Sequence, residues 1–128
     1  MILSKTDKID GVSIYEPTQG SAVGNKSIYD SNSGYTANGT YKFKVKKTIK
    51  YKQFNYERVN NEELQHLLNL LFDEDGNIKE FVFECEFMGK PAKFYAKLDN
   101  DFSVGQLLKG KIYSNVNFTI IETRVKYE

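Results

Sequence analysis

From Tyr41 to Lys52 apolar and basic residues take turns. Tyr41, Phe43, Val45, Ile49 and Tyr51 hold odd positions; Lys42, Lys44, Lys46, Thr48, Lys50 and Lys52 hold even ones. Period two belongs to a strand with one face in water and the other on a core. Lys47 falls on the apolar side, and beyond Gln53 the phase reverses, with Phe54 and Tyr56 at even positions. A one-residue slip turns every side chain over, so the reversal demands a bulge or a bend. The run predicts one long bent strand, or two strands joined near Lys47.

The period then changes. Leu64, Leu67, Leu68 and Leu71 fall at i, i+3, i+4 and i+7, the apolar face of a helix. Asn60 followed three residues later by Glu63 has the form of a capping box, and the acidic first turn suits the helix dipole. A helix over about 61–72 follows. Alternation returns at Phe81, Phe83, Cys85 and Phe87, against Glu80, Glu84 and Glu86. After the turn "MGKPA" comes a return strand with Phe94, Ala96 and Leu98 inward, so 78–98 reads as a β-hairpin. Its acidic face is a natural neighbour for the lysine face, since opposite charges across strands contribute roughly 0.2–1 kcal/mol per pair.

The ends of the chain are simpler. Apolar pieces at Ile2–Leu3 and Val12–Tyr15 meet at Asp10–Gly11 and predict two short strands or one bent one, ended by Pro17. "DNDFSVGQLLKG", 99–110, reads as a loop or a single helical turn. Ile112, Val116, Phe118 and Ile120 share a face of a long final strand. The stretch 18–39 is rich in Gly, Ser, Asn and Thr, which predicts a long flexible loop closed by a tight turn at Asn38–Gly39. Loops of that length are usually functional or flexible. Ile28, Tyr29 and Tyr35 lie in it, and a solvated linker has little use for them. They either tack the loop to its own domain or let it order on a partner. The fold class expected is mainly β, a sandwich or partly open barrel with one flanking helix, as a single domain over 1–128.

Composition narrows the function classes. Eighteen Lys and Arg against seventeen Asp and Glu leave the chain nearly neutral, where a dedicated nucleic-acid binder is usually basic. The alternative that Lys42, Lys44, Lys46, Lys50 and Lys52 hold phosphates therefore stands second, and tyrosines on the opposite face cannot stack on the same ligand. Cys85 is the sole cysteine, so no intramolecular disulfide forms. The first residues lack a basic segment followed by an apolar one, so no signal peptide is expected. No apolar run approaches a membrane span. Sequons at Asn25, Asn38 and Asn117 are read as chance.

Catalytic chemistry is not visible. His66, the only histidine, sits among leucines with no metal-ligand spacing around it. No Ser/His/Asp or Cys/His relay suggests itself, and Cys85 between Phe83 and Phe87 reads as a small buried side chain. Counting a calcium loop from Asp73 places Ile78 where glycine is required. "GSAVGNKS" has too few residues between its glycines for a phosphate loop. No enzyme, metal or cofactor is expected.

The order of parts carries a resemblance. "DGVSIYEPT", a Gly/Ser/Asn loop, "NGTYKFKVKKTIKYKQFNYERVNNEELQHLLNLL", a hairpin with "FYAKL" and a terminal "VNFTIIET" follow one another over nearly the whole chain. This resembles a family of small tail or baseplate proteins of long-tailed phages and prophages of Gram-positive bacteria. More loosely, it is similar to the tail-tube and distal-tail barrels. The resemblance implies a virion tail component, made in the host cytoplasm, that partners itself in a ring or tube and docks to other tail proteins. Ile28, Tyr29, Tyr35, Lys42, Lys44 and Lys46 are then the candidate assembly contacts, with the lysine face outward or at a subunit contact.

Overall fold

A computed structural model describes residues 1–18, 21–29, 34–35, 41–42, 45–105, 107–108 and 112–124, with the backbone alone at 28, 29, 34, 35, 41, 42, 45–47, 100, 107 and 108. Its elements in chain order are β1 (Leu3–Ile9), β2 (Val12–Tyr15), β3 (Ser21–Tyr29), β4 (Gly34–Tyr35), β5 (Tyr41–Lys42), β6 (Val45–Asn60), α1 (Asn61–Leu71), β7 (Phe81–Phe87), β8 (Lys90–Ser103), β9 (Leu107–Leu108) and β10 (Ile112–Glu122). One antiparallel sheet runs β2-β1-β7-β8-β10-β6-β3, with β9 added to β10, while β4 and β5 pair apart. The mainly β class with one helix is what the alternation requires. The sheet is open, with β2 and β3 as its outer strands, and does not close into a barrel.

It is nevertheless strongly curled. Three strands separate β1 from β6. Laid flat, four strand spacings would place them about 19 Å apart. Yet Lys52 Nζ on β6 lies 2.7 Å from Asp7 Oδ2 on β1. Further round, the Tyr56 hydroxyl on β6 donates to the Tyr15 carbonyl on β2 at 2.6 Å. Side chains thus bridge a gap that, among the described residues, no ladder of backbone bonds closes.

The interior matches the patterns that predict it. Phe81, Phe83, Cys85, Phe94, Ala96, Leu98, Val116, Phe118 and Ile120 are buried in one cluster with Phe54, Tyr56 and three leucines of α1. Phe54, Phe118 and Phe102 are register partners on β6, β10 and β8. Their rings form a stacked row, with centroids 5.1 Å and 5.5 Å apart. Asn60 caps α1 by accepting from the Glu63 N–H, and Glu63 returns the bond to the Asn60 N–H. His66 ties the helix to β2: its Nε2 lies 2.9 Å from the Ser13 carbonyl oxygen, and its ring meets Tyr15 edge-on.

Several expectations are corrected. Over Ser21–Tyr29 the supposed loop is a strand, paired with β6 from Ser21↔Phe54 to Tyr29↔Val45. Its Gly, Ser and Asn content is that of a loop, but at a sheet edge the long neighbour supplies every ladder bond and few side chains need a core. Gly24 even has a use there: a Cβ would lie 2.6 Å from the Tyr51 hydroxyl, so the absent side chain lets that ring lie on β3. The remainder of 18–39, apart from Thr18 and the two residues of β4, lies outside the described residues, including the Asn38–Gly39 turn. Residues 99–103, expected as loop or helical turn, continue β8, which slips in register against β10 between Phe118 and Ile120. That slip lets Phe102 reach Phe118 and Phe72.

The acidic hairpin does not lie beside the lysine strand, because β8 and β10 stand between β7 and β6. Its carboxylates find other cations: Glu84 lies 3.7 Å from Lys93, and Glu80 lies 2.6 Å from Arg124. The segment tested as a calcium loop is a turn in which the Asp73 carboxylate accepts from the N–H groups of Asp75 and Asn77.

Candidate functional site

The lysine run spans two elements: Tyr41–Lys42 form β5, and Val45 onward is β6, which passes through Lys47 without a break. β6 runs sixteen residues and slips in register against β3 between Ile28↔Lys47 and Tyr29↔Val45, beside the lysine that breaks the alternation. β10 does not accompany it to that end. The last β6–β10 pair is Tyr51↔Ile121, and β10 stops at Glu122. The Glu122 side chain then covers the Lys50 N–H, accepting from it at 3.0 Å. Beyond that point β3 and β6 continue together, from Asn25↔Lys50 to Tyr29↔Val45, as a two-stranded ribbon overhanging the sheet. Among the described residues no strand pairs with β6 on its β10 side over Val45–Ile49.

Three of the six candidate contacts therefore lie on this ribbon by their backbone. Ile28 and Tyr29 stand on β3 opposite Lys47 and Val45, and Lys46 lies at the slip in β6. Tyr35 stands opposite Tyr41, and Lys42 opposite Gly34, in the separate β4–β5 pair. The side chains of these five, and Lys44 altogether, lie outside the described residues. What the sequence reads as a loose arm is, for Ile28 and Tyr29, a hydrogen-bonded ribbon.

The far end of the lysine run behaves differently, and here the expectation fails. Lys50 and Lys52 turn inward. The register of β6 against β3 runs unbroken from Ile28↔Lys47 to Ser21↔Phe54, so the phase reversal expected after Gln53 does not occur and Lys52 shares the core face with Phe54 and Tyr56. Lys52 is 8% exposed and its partner Asp7 is 3% exposed. Lys52 Nζ also sits 5.2 Å from the Phe54 ring centroid. Lys50 Nζ lies over Phe87 and Phe94, at 5.9 and 6.0 Å. Asp7 gave no hint in sequence, because nothing local marks it as the partner of a lysine 45 residues away.

Cys85 and Tyr56 share this interior. Burial pushes the Cys85 thiol up to about 11, opposed by Lys52 and Lys50 and reinforced by Asp7. Burial, and then the Asp7 carboxylate, hold the Tyr56 hydroxyl well above the usual phenol range. Both groups are proton-bound in the fold. The thiol's contribution to stability is present below its ordinary 9.0 and is lost as pH rises toward 11. Urea midpoints measured at about pH 8 and pH 10 should fall more in the native chain than in Cys85→Ala. At about pH 8 the folded protein should resist alkylation that goes to completion in denaturant. An equal fall in both chains, or fast alkylation of the folded one, would contradict the thiol's burial.

No group of three or more His, Cys, Asp or Glu among the described residues could hold a metal ion. No described helix is long and apolar enough to cross a membrane. The chain matches no family model, no curated protein and no solved structure.

Proposed function

We propose that this chain is a structural subunit of a phage or prophage tail, in the tube, distal-tail or baseplate region, working by self-assembly or by docking to other tail proteins. The overhanging β3–β6 ribbon carries the reading. A ribbon with an unpaired edge is a template for another chain's strand, and main-chain bonds across such an edge join subunits without requiring a pocket. Its lysines, Lys46 and Lys47, are placed away from the neutralised pair inside the core. The order of elements along the chain adds support for a tail protein in particular.

The alternative, phosphate binding along Lys42–Lys52, loses Lys52 to the interior, while Lys50 is half-buried over Phe87 and Phe94. Sedimentation velocity over a wide concentration range, with negative-stain microscopy of the fastest species, tests the proposal. Concentration-dependent rings, tubes or stacks are expected. A strict monomer that binds DNA tightly, with a steep salt dependence, would replace this reading with the alternative.

A further inference from the structure

The sheet forks between β1 and β7. Only Lys8↔Glu84 and Ile9↔Phe83 join these strands, after which β1 departs. Its own sequence causes the departure. Ser4 Oγ accepts from the N–H groups of Thr6 and Asp7, at 3.2 and 3.0 Å, and Asp7 turns inward to Lys52. A backbone folded onto its own serine cannot ladder with a neighbour.

On β7, Val82 directs its N–H and C=O toward Asp10 at the end of β1. Alternate residues of an antiparallel strand face the same neighbour, so Glu86 also faces β1. Its counterpart would be Thr6, whose N–H is already taken. The fork holds a groove of about 560 Å³, walled mainly by apolar surface and lined by Thr6, Cys85, Glu86, Pro91, Ala92 and Lys93. Leu3, on the departing stretch of β1, is exposed, as is Ile2 before it. Glu86 is exposed and carries no ion pair among the described residues.

We infer that this fork receives the overhanging end of β6, Val45–Ile49, from a second copy of the chain. The inference deepens the assembly reading and rests on it. The two surfaces are complementary in charge and in backbone. Lys46 and Lys47 come with the incoming segment, while Glu86 stands at the fork beside Glu84, whose cation is Lys93. The Lys50 N–H faces the β10 side, so Thr48, two residues before it, presents its N–H and C=O along the same free edge. Donor and acceptor surfaces are different parts of one molecule, so the contact is head-to-tail and propagates into a ring or a filament.

The test is a charge exchange. Glu86→Lys, and separately the pair Lys46→Glu with Lys47→Glu, should each move self-association to at least tenfold higher concentration in sedimentation velocity. Mixing the two variants one to one should restore it, because each arm then meets an opposite charge. Urea midpoints close to the native value would show that the variants remain folded. If Glu86→Lys assembles like the native chain, or the mixture does not recover, the fork is not the acceptor, though the assembly reading survives. If the native chain never associates, both fall.

Discussion

Lys52→Met should cost about 3–5 kcal/mol of stability, the usual penalty for removing one partner of a buried ion pair. The reason is the carboxylate left behind. Asp7 is 3% exposed, and its principal cation lies 2.7 Å away. The methionine fills most of the space the lysine occupied, so lost volume contributes little. The double variant Asp7→Leu with Lys52→Met should regain most of the loss, since an apolar pair of similar size needs no desolvation of charge. Urea denaturation of the four chains forms a double-mutant cycle. A single variant costing under about 1 kcal/mol would mean that the pair is solvated, not buried.

Phe54→Ala should be comparably damaging, at about 3–5 kcal/mol. Phe54 is fully buried at one end of the stacked row and touches more than that row. Its ring packs edge-on to Phe83 at 6.1 Å and beside Tyr56 at 6.4 Å. Truncation would leave a cavity bordered by β6, β7 and β10, strands that cannot collapse into it without breaking their ladders. Phe54→Leu, which keeps more of the volume, should lose markedly less. Equal midpoints for Phe54→Ala and the native chain would show that the row does not hold the three strands together.

Much of this core was readable in the residues because one face of each strand is apolar without interruption. Phe81, Phe83 and Cys85 on β7, Phe94, Ala96 and Leu98 on β8, and Val116, Phe118 and Ile120 on β10 alternate cleanly and are buried as the alternation requires. The helix announced itself by its leucine spacing and its Asn60–Glu63 cap, both present. Where reading failed, the determinant was non-local. The edge strand β3 has a loop's composition and is a strand because β6 lies beside it. Lys52 continues the alternation of a wet face, but a curled sheet brings Asp7 within 2.7 Å and turns that lysine into an interior residue. The candidate assembly region was located only roughly: Ile28, Tyr29 and Lys46 belong to one overhang, whereas the fork across the sheet depends on Ser4 bonds that no periodicity signals.

The overhang also has a mechanical side. A ribbon gripped near its tip would be pulled along the strand direction. That load enters the body of the protein chiefly through β6, which is held to β10 by nine register pairs from Asn60↔Ile112 to Tyr51↔Ile121. The hydrogen bonds of such a ladder lie perpendicular to the strands. Tension along β6 therefore loads them together in shear instead of peeling them one after another from an end. The same antiparallel register that gives Phe54 its stacking partner makes β6 the tendon of the molecule.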